Sequence, residues 1–304
     1  MRNIRERIAK DFYRHKFKYL IFLPVLIYLI LFCYKPMYGV IIAFQKFRPS
    51  LGIVDSPWVG LEQFRRAFED PYFWRALKNT LTISFLGLFI TFPAPIILAL
   101  LLNEVRCKWF GRTVQTITYM PHFISLVVLC GLLTTFSQTG GLFNDVIELF
   151  GGSRENLLAN PNNFYAIYLL STVWATAGWD SIIYLAALSS IDQDQYEAAR
   201  VDGAGRWKQL IHITLPNLFP TISMMLVLRL GSILSVGYEK ILLLYQPLTY
   251  DVADVLSTYV YRKGLLDADY SFSTAVGLFN AVINIIFLTL GNKISKKLGQ
   301  SGIF

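Results

Sequence analysis

The segment Asp194-Gln195-Tyr196-Glu197-Ala198-Ala199-Arg200-Val201-Asp202-Gly203-Ala204-Gly205-Arg206-Trp207, continuing as KQLIHITLP to Pro216, decides how the chain is organised. It reads as a short helix, a glycine-bearing turn and a second helix, with Asp194 expected as the N-cap. Ala198 and Ala199 are small enough for another protein surface to approach closely, and Gly203 permits a tight or left-handed backbone. Glu197, Arg200, Asp202 and Arg206 place charges around that small patch. Long apolar stretches lie on either side. A compact polar knob between two membrane spans is what a transmembrane domain needs if a separate motor is to push on it.

Composition supports that setting. Of 304 residues, 54% are hydrophobic, 15% aromatic and only 16% charged, with a mean hydropathy of +0.46. Soluble chains carry roughly 25% charged residues, so most soluble enzymes are excluded and an all-α polytopic membrane protein is expected. A spanning helix needs about 20 mostly apolar residues. Six stretches qualify, near 19–43, 77–102, 116–136, 164–188, 216–236 and 275–294. Pro24, Pro93 and Pro95 lie inside them and predict kinks. The basic start MRNIRERIAKDFYRHKFKY and the apolar run after it resemble a signal peptide. Lys35 and Pro36 then lead into further apolar sequence without a small-residue cleavage site, so an uncleaved first span is expected. Cys33, Cys107 and Cys130 are scattered, indicating neither a disulfide framework nor a zinc site.

The net charge of +8 is compatible with nucleic acid, an anionic membrane face or topology. Its distribution decides. On the N-terminal side of the six-span arrangement fall Arg2, Arg5, Arg7, Lys10 and twelve further cations, 16 against 7 acids, a net of +9. The opposite side has 11 cations and 12 acids, while Asp180 and Arg229 lie within spans. This asymmetry places both termini of a multi-pass membrane protein in the cytoplasm and leaves no nucleic-acid surface. The expected organisation is a tail, first span and outer interfacial loop over 1–76, a core over 77–295 that contains the loop 194–216, and a tail over 296–304. In the first outer loop, LEQFRRAFEDPYFWRAL looks amphipathic, ending near Asp70–Pro71, and Trp58, Phe64, Phe68, Tyr72, Phe73 and Trp74 fit an interfacial aromatic belt. The outer loop 237–274 is read either as a contact for an external partner or as a cap on the bundle.

Glu197-Ala198-Ala199, three residues, Gly203, nine residues, Ile213, one residue, Leu215-Pro216 resembles, at every defining position, the EAA motif of permease subunits in type I ABC importers, the MetI-like family. Trp58-Val59-Gly60-Leu61-Glu62-Gln63-Phe64, Asn79-Thr80-Leu81 and Tyr119-Met120-Pro121 look like stretches common in sugar-importing members. The resemblance implies a MetI-like core with Glu197, Ala198, Ala199, Gly203, Ile213, Leu215 and Pro216 as ATPase-coupling residues. In the maltose importer, the mechanistic relative it implies, this helix sits in a cleft of the ATP-binding subunit. Implied partners are a second homologous permease, making a heterodimer, two ATP-binding subunits, and an extracellular solute-binding lipoprotein or periplasmic protein. No G-x-x-x-x-G-K-[ST] occurs here, so ATP and Mg are expected on the partner ATPase and no cofactor on this chain. The segments 250–265 and 270–275 look like a narrower branch that imports complex oligosaccharides such as alginate or pectin fragments.

Polar groups inside the membrane are costly and mark candidate pathway residues. Asp180 lies roughly 15 Å and Arg229 roughly 20 Å from the cytoplasmic edge at about 1.5 Å per residue. Two readings stand: a structural ion pair, or groups that bind sugar hydroxyls and, for Arg229, a uronate carboxylate. Trp174, Trp179 and Tyr184 offer either core packing or faces for sugar rings. Asn280 and Asn284 form either a polar ladder for substrate or a hydrogen-bonded seam between helices. His122 and His212 have no partners at metal-ligand spacing and are read as structural. Rival functions are a permease for an amino acid, peptide or anion, and a membrane-embedded glycosyl- or acyltransferase, for which the acids in the outer loops are too dispersed.

Overall fold

The computed structural model describes residues 13–299. Arg2, Arg5, Arg7 and Lys10 of the charge tally, and the last five residues, lie outside them. Two compact units divide the described chain, one formed by residues up to Glu69 together with Lys263–Leu278, the other by Asp70–Arg262 with the residues from Phe279 onward.

In the first unit, α1 runs over Lys16–Phe44. It passes from α-helix into a π-helical stretch at Leu29–Tyr34, just before Pro36. Proline has no N–H, and its ring crowds the carbonyl four residues back, so the wider turn relieves a position the regular ladder cannot serve. The apolar side chains along α1, from Leu20 to Tyr38, are exposed save the half-buried Leu29, as expected of a helix facing lipid or another subunit. Beyond it, Phe44 stacks on Trp58 at 5.6 Å, and α2 (Glu62–Glu69) docks through Gln63, which donates to the Gln45 carbonyl. Arg66 of α2 pairs with Asp269 at 2.8 Å, and the Phe47 amide donates to the Ser271 hydroxyl, tying 263–278 to this unit.

The second unit begins at Asp70, whose side chain caps α3 by accepting from the Tyr72 amide. Pro71 occupies the first turn, where a missing N–H costs nothing. Helix α3 (Pro71–Asn103) therefore starts before the expected 77 and is interrupted at Thr91-Phe92, ahead of Pro93. Within it Phe73 is fully buried against Phe279, a core residue and not a member of an interfacial belt. The expected third span, 116–136, is not one helix. It is two, α4 (Lys108–Phe123) and α5 (Leu126–Ser137), bent by 98°. Pro121 tightens the end of α4, and Ser125 starts α5 afresh by capping the Val128 amide. A short α6 (Leu142–Leu149) leads to α7 (Pro161–Ser189).

Helix α7 is 29 residues, about 43 Å long. Four helices among the described residues are long and apolar enough to cross a membrane, and the bent pair makes a fifth. Helix α7 has the length but carries Asn, Thr, Trp, Tyr and Asp180. Counted as the sixth, it makes the observed set approximately that expected. Two apolar clusters flank it: Ile83, Leu129, Leu133, Phe164 and Leu169 among others towards its start, and Ile96, Ala99, Tyr184, Leu188 and Leu218 towards its end. At Gly178 the backbone of α4 approaches so closely that a Cβ would overlap the Thr118 carbonyl, the small-residue packing used where lipid offers no hydrophobic drive between helices.

After α7 come α8 (Gln193–Val201) and α9 (Arg206–Leu230). The segment after Gly237 folds as α10 (Tyr238–Leu244), a one-turn helix at Tyr250–Ala253, and α11 (Leu256–Tyr261). This segment covers the start of α3. Asp254, fully buried, receives both Arg262 Nη atoms at 2.9 and 2.5 Å and the Thr258 hydroxyl at 2.6 Å. Tyr259 donates to Asp70 at 2.5 Å, and Asn79 bonds the Asp251 and Asp254 carbonyls. Burial and the Asp70 carboxylate together push the Tyr259 phenol far above its ordinary value. The last helix, α12 (Tyr270–Lys297), completes the bundle.

Candidate functional site: a membrane cavity and an exposed loop

A cavity of about 730 Å³ opens among α3, α7 and α9. From α7 it takes Thr172, Thr176, Trp179, Asp180 and Tyr184, from α3 Thr91, Phe92 and Pro95, from α9 Met225 and Arg229, and from the turn after α9 Ser232. The break in α3 explains part of this. Gly87 leaves room beside the Arg229 guanidinium, whose Nη2 reaches the Thr91 hydroxyl at 3.4 Å. Asp180 and Arg229 thus share one wall-to-wall space, yet no ion pair joins them among the described residues. Thr176, one turn before Asp180 on α7, lines the same cavity. An acid and a base held apart across a cavity leave both free to meet a polar guest.

The aromatic residues separate. Trp179 stands at the cavity with its ring stacked on His122 at 4.5 Å and edge-on to Phe123, so α4 fixes its orientation. Tyr184 also lines the cavity, with most of its side chain buried in the packing between α3 and α7. Trp174 is exposed and does not line it. Asn280 and Asn284 lie elsewhere: Asn284 accepts from the Leu234 amide and donates to Ser235 and Asn280, fastening α12 to the turn that ends α9. Thr91, Thr172, Thr176, Ser232 and the His122 support were not singled out from sequence. The four-residue spacing of Thr172, Thr176 and Asp180 on α7 is the signal that holds them.

At the other end of α7 stands the loop. Its N-cap is Asp192, which accepts from the Asp194 amide at 3.0 Å, so Asp194 is inside the first turn and not the cap. Helix α8 ends in a Schellman turn. The Ala204 amide donates to the Ala199 carbonyl, the Gly203 amide to that of Arg200, and Gly203 takes φ +75°. Glu197 and Ala198 are exposed, Ala199 half-buried, and Val201 is 88% exposed at the tip, an apolar side chain with nothing of its own chain to cover it. Two hydrogen bonds seat α8 on α9: Tyr196 with Thr214 at 3.0 Å and Asn217 to Gln195 at 3.0 Å. Ile213 packs against the cluster of Ile96, Leu188 and Leu218.

Pro216 was expected to mark where the second loop helix ends and a span begins. Instead α9 is continuous from Arg206 to Leu230, with a π-helical stretch at Leu210–Thr214 ahead of Leu215 and Pro216. As at Pro36, the wider turn accommodates a residue without an N–H. One helix of 25 residues therefore carries the loop at one end and Arg229 of the cavity about 34 Å away, at 1.5 Å per residue.

Spanning helices gathered round a polar cavity, with an exposed loop carried on a helix that also lines the cavity, define a membrane permease subunit. The chain belongs to the family described as binding-protein-dependent transport system inner membrane component, whose model matches residues 91–300. It is 46% identical over 301 residues to the polygalacturonan/rhamnogalacturonan transport system permease protein YteP of Bacillus subtilis (strain 168), covering 99% of this chain and 94% of that one. It is 44% identical to protein LplB of the same organism, over 96% and 92% of the two chains. Among solved structures, a bacterial alginate ABC transporter in complex with an alginate pentasaccharide-bound periplasmic protein superposes with a TM-score of 0.91 at 45% identity, covering 98% and 100%. The methionine ABC transporter MetNI, at 20% identity and a TM-score of 0.54, shares the fold alone.

Proposed function

We propose that this permease subunit admits an acidic oligosaccharide, delivered by an external solute-binding protein, into the cavity between Asp180 and Arg229. Alternating access is driven through the 194–216 loop by a separate ATPase. The permease names and the alginate complex among its full-length relatives support an acidic sugar chain as cargo. In this reading Arg229 meets a carboxylate, Asp180 and the threonines meet hydroxyls, and Trp179 offers a ring face to the sugar C–H bonds. Glu197, Ala198, Ala199 and Gly203 form the contact on the ATPase, while Ile213, Leu215 and Pro216 fix the root of the lever. The positive-inside pattern puts both termini in the cytoplasm, and a second, non-identical permease completes the passage. ATP and Mg belong to two partner subunits.

The observation that carries the mechanism is the continuity of α9. A push at Arg206 reaches Arg229 along one uninterrupted helix. The test is Arg229→Gln in the assembled transporter. It lowers import of an acidic oligosaccharide more than that of a neutral one of equal length, and equal loss on both overturns the carboxylate role.

A further inference from the structure

Helix α7 carries a polar residue at every fourth position: Tyr168, Thr172, Thr176, Asp180 and Tyr184. Each step rises about 6 Å and turns about 40°, so the stripe winds slowly along the helix. Of the cavities that open on it, two bear on charge recognition. The one with Arg229 takes Thr172, Thr176, Asp180 and Tyr184. A second, of about 390 Å³, takes Tyr168, Thr172 and Thr176, with Lys240 of α10 at its wall. Thr172 and Thr176 line both, so the two spaces adjoin along the same stripe of α7.

Lys240 is only 8% exposed. Its Nζ donates to the Tyr168 carbonyl at 2.9 Å and the Thr172 hydroxyl at 2.6 Å, and lies 4.6 Å from the centre of the Tyr168 ring. All three are neutral. No carboxylate pairs with it among the described residues, and the titratable groups about it are Tyr168, Tyr238, Glu239 and Cys130. A buried ammonium with dipolar partners alone is held at a cost that an anion would relieve. Burial accordingly pushes its pKa down to about 8. The hydroxyl it contacts is also part of the Arg229 cavity wall, so a carboxylate oxygen taking the place of Thr172 as acceptor would be in the passage.

We propose that Lys240 is a second carboxylate-binding group, at the outer end of the α7 stripe. With Arg229 it engages two acidic units of one oligosaccharide as the chain passes along Thr172 and Thr176. This rests on the acidic-oligosaccharide reading above. The passage then selects for charge repeated along a chain, not for a single anionic sugar, and Tyr168 serves as the positioning residue that holds the ammonium over the path.

The test uses the complete transporter reconstituted in phosphatidylethanolamine/phosphatidylglycerol vesicles. Uptake of a trigalacturonate is compared with that of the same oligomer with its carboxyls methyl-esterified. Lys240→Gln keeps a polar N–H donor and removes the charge. It lowers uptake of the acid form by about tenfold or more, the size expected for one lost charge-assisted hydrogen bond, and leaves the ester within about twofold of wild type. Lys240→Arg restores the acid form. Equal losses on both substrates overturn the proposal and make Lys240 a structural tie between α10 and α7. If Lys240→Gln fails to assemble, wild type at pH 7 and pH 9 makes the same comparison. An acid-selective fall at pH 9 supports the role and parallel behaviour overturns it. A wild-type transporter that moves neither oligomer overturns the acidic-oligosaccharide reading itself, and this proposal with it.

Discussion

Gly203 offers the sharpest separation of backbone from side-chain effects. Its φ of +75° closes the Schellman turn at the end of α8, and a Cβ built there meets nothing within 4 Å. The chain itself therefore has room for a side chain, and the intrinsic penalty of a substitution is conformational. For an L-residue in the left-handed region that penalty is about 1–2 kcal/mol, which reduces the population of the observed turn by about 5- to 30-fold. Valine, branched at Cβ, suffers most, whereas Asn tolerates the region. With the loop on the drive path, Gly203→Val lowers ATP-driven uptake by about tenfold in reconstituted vesicles, and Gly203→Asn retains most of it. Immunoblots of the membrane fraction show equal amounts of all three chains, because α9 and the bundle beneath are untouched. Hydrolysis that continues without uptake in the valine variant is the signature of lost coupling. Wild-type uptake by Gly203→Val, or an Asn variant as poor as Val, refutes the reasoning.

Other perturbations follow from the same geometry. Asp254→Ala strands Arg262 beside an emptied buried site and destabilises the protein by about 3 kcal/mol, read as a lowered unfolding midpoint in detergent; an unchanged midpoint contradicts the network's role. Gly178→Val forces α4 from α7 and costs about 1–3 kcal/mol by overpacking, while Gly277→Val on α12, where a Cβ meets nothing within 4 Å, leaves the midpoint within error. The lowered pKa of Lys240, about 8 against 10.5 for a free lysine, means the unfolded chain holds the extra proton between those values. Stability therefore gains from this group as pH rises from about 8 towards 10.5. Import of an acidic oligosaccharide declines over the lower part of that window, so activity and stability move in opposite directions. A parallel decline in both assigns the loss to unfolding.

Much of the architecture was legible because lipid leaves so few solutions. Apolar length gave the spans, and the spacing from Glu197 to Pro216 gave the loop and its left-handed glycine. What escaped was how neighbouring elements join. Proline was read as a boundary at Pro216, yet a π-helical stretch absorbs the missing N–H and keeps α9 whole. The reverse holds at 116–136, where an apolar run conceals the bend that Pro121 and the Ser125 cap impose. Asp194 was expected as the cap, yet Asp192 satisfies the same pattern and the backbone path gives it the role. Within the cavity the charged residues stood out on hydropathy, whereas Thr172 and Thr176 did not, since a threonine in a span is ordinary until the cavity it faces is known. Lys240 was hidden for a different reason. It lies in a segment read as an outer loop, where a cation is unremarked, and only its burial against Tyr168 makes it unusual.

The central claim is that this subunit moves an acidic oligosaccharide through its bundle under the drive of ATP hydrolysed elsewhere. It is tested most directly by accumulation of labelled trigalacturonate in vesicles holding the assembled transporter, with its loaded binding protein on one side and ATP on the other. The account predicts accumulation that requires both, with the purified permease chain alone hydrolysing no ATP. Accumulation that persists without ATP or without the binding protein, or hydrolysis by the isolated chain, contradicts it.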